Sequence, residues 1–243
     1  MAILYIVPTP IGNMEDMTLR ALRVLKEADV VLAEDTRTTG ILLKHYGISA
    51  RLLAHHKYNE HDSAAAIVDM LRKGSTVALV SDAGTPAVSD PGFLAARTVI
   101  DAGYTVECLP GATAVIPAIV DSGMPCDRFC FEGFLPVKKG RLSRLQQIAA
   151  DERTTAVYES PHRLRRTLAD IANVMGPQRR IAICRELTKV HEETLRMTVA
   201  EAIDYYAQTE PRGEIVIVIE GRPREHKHRQ HVNKYDNINH QDS

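Results

Sequence analysis

The stretch VALVSDAGTPAVSDPG, residues 77–92, decides the fold. An apolar, β-branched run predicts a strand over residues 76–80, and the loop SDAGTP follows it. Asp90 and Pro91 then predict a helix start, with Asp90 as the capping side chain and proline at the first helical position; the helix is expected to end near Gly103. A strand, a loop and a helix in this order are typical of a βαβ unit in a parallel sheet.

The same alternation extends in both directions through the first half of the chain. It predicts an α/β fold whose N-terminal sheet is mainly parallel. The other predicted strands of this sheet cover residues 3–7, 30–33, 51–54 and 105–109, and the other predicted helices cover residues 18–28, 38–46 and 60–73.

The second half continues the α/β pattern with a difference. The strands predicted at residues 180–184 and 194–197 have no helix between them, so a mixed C-terminal sheet is expected. The remaining predicted strands cover residues 129–134, 154–158 and 214–219, and the predicted helices cover residues 114–121, 140–150, 161–175 and 199–207.

The chain of 243 residues divides into two predicted domains. We place the boundary near residues 113–122, which gives an N-terminal domain over residues 1–115 and a C-terminal domain over residues 116–221. Residues 222–243 contain almost no apolar side chain, so they are predicted to form a disordered polar tail.

Composition excludes several classes of protein. The chain has 30 Lys and Arg residues against 31 Asp and Glu residues, which rules out a protein that is strongly basic over its whole length. Four irregularly spaced cysteines, an N-terminus without a basic leader and the lack of an 18-residue apolar span favour a cytoplasmic protein with no membrane segment. With no tryptophan and 5% aromatic residues, a platform of stacked rings for single-stranded nucleic acid is not expected.

Three loops follow predicted strands of the parallel sheet: PTPIGN (8–13), SDAGTP (81–86) and PGAT (110–113). Ligands of open α/β sheets bind outside the carboxyl ends of the strands, so these loops are expected to border one crevice. Asp82 could accept a hydrogen bond there from a ribose hydroxyl. Neither G-x-G-x-x-G after the first strand nor a P-loop motif occurs, which favours a nucleoside without a phosphate chain.

Seven motifs in order along the chain carry a family resemblance. They are LYIVPTPIGN (4–13), AEDTRTT (33–39), VALVSDAGTPAVSDPG (77–92), LPGATA (109–114), FEGFLP (131–136), YESPHR (158–163) and RELTKVHEE (185–193). Over about residues 4–220 the chain resembles the tetrapyrrole-methylase superfamily. Within it, the chain is similar to bacterial 16S ribosomal RNA 2′-O-ribose methyltransferases that act on a decoding-site cytidine of the cytidine-1402 type.

The resemblance implies that S-adenosylmethionine binds in a cleft between two α/β domains, in a homodimer. It also implies a partner, 16S ribosomal RNA within the 30S subunit. The cofactor-binding residues expected by analogy are Pro10, Asp82, Ala83, Gly84, Thr85, Thr113, Ala114, Tyr158 and Glu214.

Methyl transfer to a 2′-hydroxyl needs in-line positioning and would benefit from a base or a polarising cation. Asp35 or Glu159 is our candidate base, and Arg185 or Lys189 is our candidate substrate clamp. Asp35 has an alternative interpretation, since residues 34–37 could be a helix cap and ion-pair cluster. No metal site is expected.

Basic residues concentrate between residues 137 and 180, where ten basic and four acidic residues give a net charge of +6. Such a patch indicates an RNA phosphate footprint, although a solvated helix face is the alternative. Two other functions stay open: a tetrapyrrole methyltransferase and a non-catalytic ribosome assembly factor. The candidate RNA-binding residues are Lys138, Lys139, Arg141, Arg144, Arg163, Arg165 and Arg166.

Overall fold

The first five strands form one parallel sheet in a computed structural model that describes residues 2–56 and 60–223. These strands are β1 (Ile3–Ile6), β2 (Val30–Ala33), β3 (Leu52–Ala54), β4 (Thr76–Val80) and β5 (Thr105–Cys108). Their order in the sheet is β3-β2-β4-β1-β5, and every pairing is parallel. The predicted parallel N-terminal sheet is therefore confirmed.

Helices cover both faces of this sheet, which is why its central strands are almost wholly apolar. The helices are α1 (Leu19–Glu27), α2 (Thr36–His45), α3 (Glu60–Arg72) and α4 (Phe93–Asp101). Residues of α1 and α2 pack into one core with Val31 and Ala78, and residues of α3 and α4 pack into a second core with Leu32 and Leu79.

The start of α4 differs from the sequence prediction. The helix begins at Phe93, two residues after Pro91, and Gly92 occupies the N-cap position with φ of 138° and no side-chain cap. The prediction that Asp90 caps the helix is therefore wrong. A backbone that turns at glycine leaves the Asp90 carboxylate free of this role.

The last five strands form the mixed sheet that the sequence predicts. They are β6 (Phe129–Phe134), β7 (Thr154–Glu159), β8 (Arg180–Arg185), β9 (Glu193–Thr198) and β10 (Ile215–Ile219), in the order β6-β7-β10-β8-β9. Only the β6–β7 pairing is parallel. The helices of this half are α5 (Val115–Ser122), α6 (Arg141–Ala150), α7 (Pro161–Met175) and α8 (Val199–Gln208).

The second sheet separates two apolar cores. Residues of α6, α7 and α8 fill the core on one face, whereas residues of α5 fill the other, where Ile11 of the N-terminal half also packs. No helix in the described ranges is long and apolar enough to span a membrane. The domain boundary remains a prediction, and residues 224–243 of the predicted tail lie outside the described residues.

Candidate active site

A cavity of about 360 Å³ lies where loops of the parallel sheet meet the mixed sheet. A larger depression of about 920 Å³ at residues 125–128, 150–154 and 220–223 receives none of these loops. The first cavity is therefore our candidate site. Its N-terminal wall consists of Ile11, Ala83, Gly84, Thr85, Val88, Ser89, Asp90, Thr113 and Ala114, and its C-terminal wall consists of Phe134, Tyr158, Glu159, Ser160, Pro161, Cys184, Leu187, Gly213, Glu214, Ile215 and Val216.

Hydrogen bonds join the three predicted loops to one another. Thr9 and Gly84 exchange two backbone hydrogen bonds, each of 2.9 Å, and the Thr85 hydroxyl donates to the Ala112 carbonyl at 3.0 Å. Gly84 lies in the left-handed region with φ of 79°, which favours glycine. The three loops therefore form one preorganised wall, as the sequence predicts.

Asp90 lines the N-terminal wall of the cavity, and the carboxylates of Glu34 and Asp82 lie close enough to Asp90 to interact with it electrostatically, outside the lining. Burial raises the pKa of each, and burial together with the nearby carboxylates of Glu34 and Asp82 raises the pKa of Asp90 to about 6. Within residues 2–56 and 60–223 no salt bridge neutralises any of the three. This wall is suited to a cationic ligand.

Asp35 lies at the start of α2 and acts as its N-cap. Its carboxylate accepts from the Arg37 backbone N–H at 2.8 Å and from the Arg37 guanidinium at 2.6 Å. These hydrogen bonds lower the pKa of Asp35 to about 2. They confirm the helix-capping alternative and argue against Asp35 as a base, because so acidic a group is a poor proton acceptor.

Glu159, the other candidate base, is buried and fully engaged. Its side chain is 0% exposed and pairs with Arg163 at 2.8 Å. It also accepts from the Ser160 backbone N–H at 2.7 Å and from the Thr167 hydroxyl at 2.5 Å. These contacts tie the end of β7 to α7, so the structure assigns Glu159 a structural role and opposes the base hypothesis.

Comparison with known proteins identifies the family to which this fold and cavity belong. The family model of tetrapyrrole (corrin/porphyrin) methylases matches residues 3–203. The chain belongs to the tetrapyrrole methylase family. The predicted resemblance is confirmed.

Similar curated members of this family carry one name, Ribosomal RNA small subunit methyltransferase I. The Escherichia coli O157:H7 protein is 50% identical over 221 residues, which cover 90% of this chain and 77% of the relative. The Haemophilus influenzae protein is 47% identical and the Synechocystis protein 46% identical, with each alignment covering 91% of this chain and 80% of the relative.

Solved structures of tetrapyrrole methylases share the fold. The methyltransferase CobJ aligns with a TM-score of 0.68 at 20% identity, covering 90% of this chain and 93% of that one. The Thermus thermophilus uroporphyrin-III C-methyl transferase, solved in complex with S-adenyl homocysteine, aligns with a TM-score of 0.62 at 20% identity, covering 89% and 96%. At these identities the likeness shows the fold alone.

The two candidate clamp residues of the chain are already paired with carboxylates. Arg185 contacts Glu193 at 3.3 Å, and Lys189 contacts Glu186 at 3.0 Å and Glu214 at 3.2 Å. Pairing reduces the charge that either cation offers to a substrate.

The segment around Lys189 also connects the two halves of the chain. A Cβ atom on Gly12 would lie 2.3 Å from Cγ of Lys189, and the Asn13 backbone N–H donates to the Thr188 hydroxyl at 3.2 Å. The motifs PTPIGN and RELTK therefore fit against each other, and any larger residue at position 12 would have to displace the Lys189 side chain.

The candidate RNA-binding residues divide into three groups. Lys138 and Lys139 are exposed and form no salt bridge with any described residue. Arg141 is a correction: its side chain is 7% exposed and donates to Asp170, Thr167 and the Pro136 carbonyl, so it cannot reach a phosphate. The other arginines all pair with acidic residues: Arg144 with Glu132, Arg163 with Glu159, Arg165 with Glu210, and Arg166 with Asp170.

Seven of the nine candidate cofactor residues line the cavity; Pro10 and Asp82 do not. Pro10 is buried beneath the loops, and Asp82 accepts from the Asp35 backbone N–H at 3.1 Å. Sequence reasoning missed Asp90 and Phe134. The Asp-Pro pair at residues 90–91 predicts a helix cap and not a wall residue, and Phe134 lies in the motif FEGFLP, where no spacing rule marks it as part of the cavity.

Proposed function

We propose that this protein transfers a methyl group from S-adenosylmethionine to the ribose 2′-hydroxyl of a cytidine in 16S ribosomal RNA. The observation that carries the proposal is the cavity itself: the carboxylate of Asp90 lies on its N-terminal wall, and the apolar side chains of Leu187, Ile215 and Val216 lie on its C-terminal wall. The printed names of relatives that are 46–50% identical support the RNA substrate over a tetrapyrrole.

S-adenosylmethionine fits this donor set, since it combines a cationic sulfonium and ammonium with an apolar adenosyl group. Gly84, Thr85 and Ala114 would hold it through their backbone, and Asp90 would face its positive charge. When bound, the cofactor supplies an electrophilic methyl group to the hydroxyl.

The chain contributes mainly positioning to this reaction. Asp35 and Glu159 are occupied by structural hydrogen bonds, so neither carboxylate is available as the general base. The fixed walls hold donor and acceptor in line, which is where a displacement gains most.

We further propose that the substrate is the 30S subunit, that Lys138 and Lys139 contact its phosphates, and that the enzyme acts as a cytoplasmic homodimer. Exposed apolar side chains on α5, Ile116 and Val120, offer surface for a second copy. Light scattering of the purified protein tests the dimer by its mass.

The function is tested by incubating the protein with methyl-labelled S-adenosylmethionine and 30S subunits from cells that lack the gene. Label in a dinucleotide that survives alkaline hydrolysis supports the proposal, because a 2′-O-methyl group protects the adjacent phosphodiester bond. Mapping the position of the label in the RNA identifies the nucleotide. In a parallel incubation with uroporphyrinogen III in place of 30S subunits, label on the tetrapyrrole would support a tetrapyrrole substrate. Absence of any transfer, together with no S-adenosylmethionine binding by calorimetry, would support an assembly factor.

A further inference from the structure

Phe134 places an exposed aromatic ring at the rim of the candidate cavity. The residue is 55% exposed and lines the cavity, in a chain that has four phenylalanines and no tryptophan. Water solvates a phenyl ring poorly, so an exposed ring beside a cavity marks a binding surface.

Local backbone geometry turns this ring toward the cavity. The pairing of β6 with β7 shifts register between Phe131 and Phe134, and Gly133 within the shift has φ of 59°. Such bulges redirect the side chain that follows them and occur often beside active sites. Gly133 also lies near the opposite wall, because a Cβ atom there would be 3.5 Å from the Ser89 hydroxyl.

Neighbouring side chains fix the orientation of the ring. Tyr158 meets it edge-on with centroids 5.7 Å apart and an interplanar angle of 69°. The Arg163 guanidinium carbon lies 5.8 Å from the ring centroid, over its face. Both contacts leave a large part of the phenyl ring open to solvent, so the ring is held in place but not covered.

A buried polar network fixes Arg163 beside Phe134 and anchors the segment that follows the ring. Glu159 binds both Arg163 and the Thr167 hydroxyl. Thr167 accepts from Arg141 at 2.8 Å, and Arg141 also donates to the Pro136 carbonyl at 3.2 Å. Pro136 lies between Phe134 and Lys138 in the chain, so the network anchors the backbone that joins the ring to the two exposed lysines.

We infer that the exposed face of Phe134 stacks against the base of the nucleotide whose ribose is methylated. This inference rests on the proposed function and names its substrate contact. The planar base of a nucleotide can stack on the aromatic ring, while its phosphates contact cations nearby. Because base and ribose belong to one nucleotide, a hydroxyl that enters the cavity brings its own base to the rim, turned out of the RNA stack.

The adenine of S-adenosylmethionine is the competing partner for this ring. Exposure favours the RNA base: Ile215, Val216 and Gly84 are buried in the cavity wall, whereas Phe134 is its exposed rim. Kinetics with each substrate separate the two partners.

The test compares Phe134→Ala, Phe134→Tyr and the matched control Phe93→Ala. Phe93 is 64% exposed and does not line the cavity. For Phe134→Ala we expect the KM for 30S subunits to rise about 5- to 150-fold, the range typical of one lost base stack. The S-adenosylmethionine Kd from calorimetry should stay unchanged, Phe134→Tyr should restore the KM, and Phe93→Ala should behave as wild type.

Three results would overturn the inference: an unchanged KM for 30S subunits, a weakened S-adenosylmethionine Kd with unchanged KM, or an equal rise in KM for Phe93→Ala. Rescue by Phe134→Tyr excludes misfolding as the cause, because tyrosine restores the ring. Wild-type protein that labels no ribose would instead refute the proposed function, so the two failures are distinguishable.

Discussion

The two walls of the cavity treat their charged residues in opposite ways. On the N-terminal side, Glu34, Asp82 and Asp90 form no salt bridge among the described residues, and burial raises the pKa of each, although the charge of Arg37 offsets part of the rise at Asp82. On the C-terminal side, Glu159 and Glu186 pair with Arg163 and Lys189. The N-terminal side therefore has carboxylates without salt bridges, whereas the C-terminal side uses its carboxylates to pair cations within the fold.

The difference also shows that residue type alone does not identify a general base. Glu159 follows a strand at the cavity and has the right chemistry, yet its oxygens serve the backbone of Ser160 and the side chain of Thr167. Asp90 looked like a helix cap, yet it is half-buried beside like charges. Partners, more than identity, decide which carboxylate is available.

The largest expected effect follows from removing the buried salt bridge on the C-terminal side of the cavity. Glu159→Ala should lower the free energy of unfolding by about 3–5 kcal/mol, because Arg163, Thr167 and the Ser160 N–H all lose a buried acceptor. Urea denaturation measures the change, with Asp204→Ala as control because Asp204 is exposed on α8. Equal stability of the two variants would show that the pair is not structural.

The next effect follows from removing the negative charge of Asp90 on the N-terminal wall. Asp90→Asn should weaken S-adenosylmethionine binding about 10- to 100-fold, since a charge-assisted contact with a cation is lost. Calorimetry measures the Kd, and Asp204→Asn is the control. An unchanged Kd would mean that the acidic wall does not face the cofactor.

The same variant, Asp90→Asn, should stabilise the unliganded protein, and the size of this stabilisation should depend on pH. The folded-state pKa of Asp90, about 6, lies above its ordinary value of 3.8. The folded protein therefore binds more protons than the unfolded chain between these values, and stability falls as the pH rises through them. Asp90→Asn should raise the Tm at pH 8 more than at pH 4; parallel pH profiles would contradict this assignment.

A smaller effect distinguishes free from paired cations. Lys138→Ala with Lys139→Ala should lower the salt dependence of 30S binding by about 0.7–0.9 in log–log slope for each lost phosphate contact. Arg165→Ala with Arg166→Ala should change the slope little, since Arg165 donates to the Tyr206 carbonyl at 2.7 Å and pairs with Glu210. Equal slopes in the two double variants would remove the distinction.

The smallest effect is expected at Asp35. Asp35→Asn removes the charge but keeps a side chain that caps helices equally well, so kcat should change little. Single-turnover methylation of 30S subunits measures it. A loss of about 10²- to 10⁴-fold would restore Asp35 as a general base.

Local patterns were enough to predict both sheets. The alternation of β-branched runs with amphipathic segments predicts β4 and the parallel N-terminal sheet, and the missing helix between β8 and β9 predicts the mixed one. Gly, Pro and Thr in the loops 8–13, 81–86 and 110–113 predict one wall of the cavity. These signals are local because hydrogen bonding and strand burial repeat every two residues.

The sequence by itself determined the fold class, the order of the elements, the family and one wall of the site. Only the tertiary structure decided which charged side chains are paired. Arg141 is buried against Asp170 and Glu159 is bound to α7, whereas Asp90 lines the cavity and does not cap α4. Sequence motifs show which ionisable side chains are present along the chain. Ionisation and availability depend on burial and on partners that are distant in sequence, and these exist only once the two sheets have come together.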